Sequence, residues 1–431
     1  MNAREFLKVY RYDKRLVTGD YFPQEPVAVE PGDTVGVVML NLGGPMCLDD
    51  VEPFLYNLFM DPAIIDLPVR GRMRHWLARL ISTKRAKSVG EDYEEIGGSS
   101  PINRLTKEQA QSLEERLNER YGAATGARFR TYIAMRYWKP FSEDAAAQMA
   151  ADGVTKVVLL PLYPQYSKTT TGASLVLWKA LEEKGEIETW PTSLVYEYAT
   201  HPKYVQAICD RIDEGLQRFP REVRDKVHLL FSAHGTPTKE MKKRRDPYCC
   251  LCHSTVQQVM NLREERGEKR PFHVAFQSKV GPAEWLTPST PDQLETLAKD
   301  GHTAVLVIPV AFVTDHIETA YELDIEVREE AHEFGITHYE VTSGLNCHPL
   351  FIDALAESVA AQLAPSQAAA AQGDGAAVQL PAPIPTLPRY KQTERTVRCH
   401  QCERICEAHR WPASAAAPAE ILGSSERREA A

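Results

Sequence analysis

The chain has no long hydrophobic run. Its longest uninterrupted apolar stretch, Ala304–Val313, covers ten residues, about half of the ~20 that a membrane-crossing helix needs. The N-terminus, Met1-Asn2-Ala3-Arg4-Glu5-Phe6, carries charges where a secretory leader would place an apolar core, so no cleaved targeting segment is expected. Neither charge dominates: 50 basic and 59 acidic residues leave a net charge of −9 over 431 residues, which argues against general nucleic-acid binding. A repeat array is absent as well. Nine cysteines without a leader point away from disulfides and toward metal binding in a reducing compartment. What is left is the composition of a soluble, cytoplasmic globular protein, long enough for two domains.

Between about residues 34 and 364 apolar runs alternate with helical patterns, which predicts α/β architecture with parallel sheets. Strands are expected at Val35–Leu42, Phe129–Tyr137, Val157–Tyr163, Val227–Ala233, His273–Ser278 and Ala304–Val310. The run Asp152–Pro161 matches Asp300–Pro309 at five of ten positions with a constant offset of 148. Carried forward, that register pairs Lys168 with His316 and Thr170 with Glu318. A looser match sets Leu42-Gly43-Gly44-Pro45 against His234-Gly235-Thr236-Pro237, so that Leu42 stands opposite His234. Two similar doubly wound, Rossmann-like parallel-sheet domains facing a central cleft are inferred, at 34–195 and 196–347. An N-terminal extension occupies 1–33, and a helix at 348–364 is expected to pack back on the first domain. An Ala/Pro-rich linker spans 365–398, and a cysteine-containing extension spans 399–431.

The strongest chemical signal follows the apolar run Ala304–Val310: Asp315, His316, Glu318 and Glu322 load one helix start with imidazole and carboxylates. Parallel sheets bind ligands where such strands end. The bland alternative is a capping box from Asp315 to Glu318. A second apolar strand ends in Ser232-Ala233-His234-Gly235-Thr236-Pro237, where Gly235 and Pro237 turn the chain and leave His234 at the strand tip. Two imidazole-bearing strand ends are harder to read as structural than one.

These segments resemble the ferrochelatases. So do Leu40–Pro45, Ile96–Ile102, Tyr163–Ser167, Gln277–Pro282 with Trp285, and Thr314–Asp324, in order, from about residue 34 to about 364. The resemblance implies two chelatase domains and insertion of Fe(II), the metal substrate, into protoporphyrin IX to form haem. By resemblance His234 accepts a proton, Glu318 opposes it as a metal-handling carboxylate, His316 and Asp315 support them, and Glu322 extends an acidic path; His234 as the main iron ligand is the alternative. Leu42, Arg85, Tyr93, Ser100, Arg136, Tyr137 and Trp285 fall at substrate-pocket positions. A coproporphyrin chelatase, a cobalt chelatase, or a two-lobed haem or porphyrin carrier are the rivals, and a homodimer stays open.

Arg70, Arg72, Arg74, Arg79, Lys84, Arg85 and Lys87 interleave with Met73, Trp76, Leu77, Leu80 and Ile81. The plain reading is a solvated basic helix face. The functional one is a lip resting on the inner membrane face, with Arg85 meeting a propionate. Cys399, Cys402 and Cys406 are spaced as metal ligands, one short of a closed site. Some members of the resembled family carry a [2Fe–2S] cluster there, and the animal pattern adds a cysteine after the Tyr-Pro-Gln-Tyr-Ser motif. Lys168 holds that position here, so Cys249, Cys250 and Cys252 are candidate replacements. Zinc bound with His409 is the main rival.

Overall fold

The computed structural model describes residues 13–365, apart from 24, 66, 68, 280 and 281. The strands, in chain order, are β1 (Val27–Val29), β2 (Thr34–Asn41), β3 (Arg128–Met135), β4 (Lys156–Pro161), β5 (Thr192–Leu194), β6 (His228–His234), β7 (Phe272–Gln277), β8 (Ala304–Pro309), β9 (His338–Val341) and β10 (Leu363–Pro365). The six strands expected from sequence are present with ends displaced by one or two residues, and four short ones join them. The described residues divide into two units: one holds 13–198 and 347–365, the other holds Ala199–Asn346.

The first unit is built on a parallel sheet of order β3-β2-β4-β5. In the central strands β2 and β4, every residue after the first is buried. Apolar side chains on both faces of a strand need helices on both faces, which is the doubly wound arrangement. The helix Pro349–Ala360 belongs to this unit and is tied to it by Arg116 and Arg120, both paired with Asp353. Beside the sheet, β1 and β10 form a small parallel pair.

In the second unit the order is β7-β6-β8-β9, also parallel throughout. The order is the same permutation as in the first unit, and the match extends to register. Adding 192 to the numbers in β2 and 148 to those in β4 turns the pair Leu40↔Pro161 into Ser232↔Pro309, a pair that the second sheet makes. The neighbouring ladder agrees, with Val38↔Tyr132 answered by Leu230↔His273. Both halves also follow the third strand of the set with a wide π-helical turn, Lys168–Gly172 after β4 and Glu318–Glu326 after β8. The inferred kinship of the halves is therefore a property of the fold.

Candidate active site

His234 is the last residue of β6, and Glu318 opens the π-helix that follows β8. Because β6 and β8 are hydrogen-bonded neighbours, their carboxyl ends deliver the two side chains to one place. His234 Nδ1 lies 2.9 Å from Glu318 Oε2. Glu318, ionised, can only accept, so Nδ1 carries the proton and the Nε2 lone pair of a neutral His234 is left free. The Tyr248 hydroxyl donates to the His234 carbonyl at 3.0 Å and fixes the strand tip. Trp285 packs over Gly235, whose added Cβ would come within 3.2 Å of the indole.

Ser278 links the carboxylates. Its hydroxyl stands 3.3 Å from Glu318 Oε2 and 2.7 and 2.9 Å from the two oxygens of Glu322. It reaches them from a left-handed backbone, φ 64°, which a residue with a Cβ seldom adopts. Upstream, Gln277 is held by Ser232 Oγ at 2.8 Å and turns its amide toward the Glu318 carbonyl at 3.5 Å. His234, Glu318, Ser278 and Glu322 thus form one continuous chain of polar contacts.

The electrostatics follow from that chain. Burial would raise the Glu318 carboxyl, but the adjacent His234, then His316 and the Ser278 hydroxyl, bring it down to about 2. For His234 burial works against the charged form, and the negative charge of Glu318 overcomes it, so the imidazole titrates above its usual value. Glu322 is pushed up to about 7 by burial and by the charge of Glu318. Two carboxyl groups one helical turn apart are held in different protonation states, which is how a site provides both a fixed anion and an exchangeable proton near neutral pH.

His316 is 5% exposed, and burial lowers its pKa. Its Nδ1 lies 3.2 Å from the Thr314 carbonyl and so carries the proton, which leaves Nε2, 3.9 Å from Glu318 Oε1, as a lone pair. Phe312 packs against His316 at a tilt of 57° and lies edge-on to His234. Asp315 is not a helix cap. It accepts from Thr319 Oγ1 at 3.0 Å, from the Gly344 amide at 2.9 Å and from Asn346 Nδ2 at 2.7 Å, anchoring the turn that carries His316.

In the first unit Leu42, Arg136 and Tyr137 adjoin: the Arg136 amide donates to the Asn41 carbonyl and the Tyr137 amide to that of Leu42. Ser100 packs against Gly44, where any Cβ would overlap it at 2.5 Å. Tyr93 is buried near the end of the helix Gly71–Glu95, whereas Arg85 stands exposed on the same helix. Asp61 was not picked out from the sequence. It is 4% exposed, and its Oδ2 accepts from both the Arg136 guanidinium at 2.8 Å and the Tyr137 hydroxyl at 2.7 Å. Only a lone carboxylate between an aromatic-rich helix and a proline hinted at it, and that is a common surface pattern.

The second unit also carries a group of buried thiols. Cys249, Cys250 and Cys252 are buried in the first two turns of the helix Tyr248–Glu265. Burial holds the Cys252 thiol well above its ordinary range, and Cys249 lies against His253, Sγ to Nδ1 3.8 Å. Cys249 and Cys252, three residues apart, share one face of this helix, and Cys250 is turned away from them. Among the described residues no three histidine, cysteine or acidic side chains are gathered as a ready metal-ligand set. Lys168 is buried and donates to the Ala63 carbonyl at 2.6 Å. Cys399, Cys402, Cys406 and His409 lie outside the described residues.

Comparison with known proteins decides the family. Residues 34–363 match the ferrochelatase family. The chain belongs to it. A ferrochelatase of Gloeothece citriformis (strain PCC 7424) is 43% identical over 326 residues, 75% of this chain and 81% of its own length. The chloroplastic ferrochelatase-2 of Cucumis sativus is 42% identical over 331 residues, 76% of this chain and 63% of that protein. Among solved structures, SirB from Bacillus subtilis with Fe3+ superposes with a TM-score of 0.43 at 12% identity, over 79% of this chain and 99% of that one. Ferrochelatases are metal chelatases, lyases that place ferrous iron in a porphyrin during haem synthesis. Among the described residues no helix is long and apolar enough to cross a membrane.

Proposed function

We propose that this ferrochelatase metallates protoporphyrin IX, with His234 as the proton acceptor and Glu318 as the carboxylate that receives Fe(II). Metallation releases two pyrrole protons and takes in a dication, so the site must accept protons and offer negative charge at one spot. The observation that carries the reading is the 2.9 Å contact between His234 and Glu318 at adjoining strand ends. His234 Nε2 is the free basic nitrogen; Glu318, held ionised, compensates the incoming charge and stabilises the imidazolium once it forms. His316 offers a neutral nitrogen beside Glu318, and Asp315 keeps its turn in place. Glu322, titrating near 7, extends the acidic row along the π-helix and can pass protons onward. A haem carrier would need an axial ligand but no base paired to a carboxylate. His234 as the main iron ligand would use the same Nε2.

Leu42, Tyr93, Ser100, Arg136, Tyr137 and Trp285 are proposed to shape the porphyrin site, and Arg85 to meet a propionate. Peripheral contact with a membrane from the cytoplasmic side is proposed for the helix Gly71–Glu95. Its support is the orientation of the apolar stripe: Met73, Trp76 and Leu80 are 61, 65 and 51% exposed while Arg74, Ala78 and Ser82 face inward. For the C-terminal Cys399, Cys402 and Cys406 a [2Fe–2S] cluster is proposed on spacing, with zinc and His409 as the rival; no catalytic step is assigned to it. The decisive experiment is anaerobic incubation with Fe(II) and a panel of protoporphyrin, coproporphyrin and other tetrapyrroles, followed by metalloporphyrin absorbance. Turnover confined to coproporphyrin, or binding without turnover, would overthrow the proposal.

A further inference from the structure

Three polar side chains are buried among the apolar strands of the second unit. Ser232 follows the run Leu229-Leu230-Phe231 in β6, Gln277 ends β7, and Thr290 opens the helix Thr290–Lys299; they are 0, 2 and 0% exposed. Burying two hydroxyls and an amide is costly unless they satisfy one another, and here they do. Ser232 Oγ donates to Gln277 Oε1 at 2.8 Å, and because its single proton is spent there, Thr290 Oγ1 donates to Ser232 at 2.9 Å. With Oε1 so occupied, the amide Nε2 of Gln277 is left to face the Glu318 carbonyl, 3.5 Å away.

Gln277 also stands behind His234. The two are register partners on β7 and β6, so their side chains leave the sheet on one face, the face that Ser232 shares with His234 two residues on. The Gln277 carbonyl accepts from the Gly235 amide at 2.8 Å, and a Cβ on Gly235 would overlap that carbonyl at 2.6 Å. One residue thus meets the backbone on both sides of the 2.9 Å contact between His234 and Glu318, with its main chain at Gly235 and its side chain at Glu318. To make the second approach it reaches across the end of β6 to the turn that follows β8.

The first unit repeats the device. Leu40↔Ala134 answers Ser232↔Ala275, and two steps further along the same ladder the place of Gln277 falls to Arg136. Its Nε crosses the end of β2 in the same way and donates at 3.2 Å to the carbonyl of Ala173, where the wide turn after β4 ends. One unit uses a guanidinium and the other an amide, yet each donates to the backbone of a wide turn from the strand on the far side of the central one. We propose that Gln277 is a positioning residue for metallation, which fixes the Glu318 turn against the tip of β6, with Ser232 and Thr290 holding its amide in the donating orientation. The inference rests on the roles proposed for His234 and Glu318.

The test measures Fe(II) insertion into protoporphyrin IX by the full chain for Gln277→Met, Ser232→Ala, the double variant and, as reference, Glu318→Gln. Gln277→Met keeps the length of the side chain but cannot donate. Its kcat should fall at least about tenfold, the lower range for losing an outer partner of a metal-handling group, with KM for the porphyrin unchanged. Ser232→Ala should lower kcat less, and the double variant should be no slower than Gln277→Met alone, because Ser232 acts only through the amide. A packing role would instead lower the unfolding midpoint while kcat per folded molecule stays at the wild-type value, and that result would overturn the proposal. Losses that multiply in the double variant would overturn it as well. If Gln277→Met does not fold, as circular dichroism reveals, Ser232→Ala decides: a lowered kcat at unchanged porphyrin KM supports the proposal, and a wild-type kcat refutes it. Glu318→Gln separates this inference from the reading beneath it. An inactive Glu318→Gln beside a fully active Gln277→Met refutes the role of Gln277 alone, whereas an active Glu318→Gln refutes the catalytic pair and this inference with it.

Discussion

Replacing Glu318 with glutamine removes one charge from the His234–Glu318–Ser278–Glu322 chain without changing its outline. In the wild type the Glu318 carboxyl falls from 4.5 to about 2 despite burial, because His234 lies against it. At 1.36 kcal/mol for each pKa unit, the drop corresponds to roughly 3 kcal/mol in favour of the ionised form. Its side chain is 21% exposed, so solvent screening removes little of this. A carboxylate depressed on folding contributes stability that is complete above its unfolded value and disappears as pH falls through its folded value. The variant should therefore lose up to about 3 kcal/mol of second-unit stability near pH 6, and the difference should close as pH approaches 2. His234 behaves in the opposite sense. Its raised pKa contributes stability that is complete below 6.5 and is lost as pH rises through the folded value. Without the Glu318 charge, burial takes over and the imidazole should titrate at lower pH than in the wild type. Urea unfolding at several pH values, with imidazole resonances followed by NMR, measures both effects; kcat should fall at least about a hundredfold. A stability difference that stays constant with pH, or an unmoved His234 titration, would refute the view that charge holds the pair.

Three further outcomes are expected. Asp61→Asn leaves the buried Arg136 without its counter-ion and should destabilise the first unit by about 3 kcal/mol, the lower range for breaking a buried pair, seen as a lower unfolding midpoint; an unchanged midpoint would separate Asp61 from that role. Replacing Met73, Trp76 and Leu80 with serine should weaken sedimentation with anionic vesicles at low salt without altering circular dichroism, and undiminished binding would return that helix to an ordinary solvated face. Protein purified anaerobically should contain about two irons and two labile sulfides beyond substrate, lost in Cys402→Ser but retained in Cys252→Ser because Cys252 is a core thiol. Stoichiometric zinc without sulfide would instead support the site with His409.

Much of the frame is legible in the amino acids because central strands of a parallel sheet are apolar on both faces. β2, β4, β6 and β8 therefore announce themselves. β1, β5, β9 and β10 do not: three or four residues such as Thr192-Ser193-Leu194 are too short to show a period. His234, His316 and Glu318 were readable because polar groups at the ends of such strands stand out. Ser278 and Asp61 were not, since their importance comes from partners 40 and 75 residues away in the chain. The wide turns after β4 and β8 leave no compositional mark either. Asp315 illustrates the converse, with a local pattern that fits a helix cap but a side chain spent on Gly344 and Asn346.

The backbone at Ser278 sets two selective pressures against each other. A serine at φ 64° carries steric strain, on the order of 1–3 kcal/mol for a residue held in such a region. Glycine would adopt the same angle without that strain, yet it has no hydroxyl to span Glu318 and Glu322. Screening a library of this protein for heat resistance alone should thus enrich glycine at 278, while screening for haem formation should remove it. The disagreement between the two screens would locate where this fold has given up durability for reactivity.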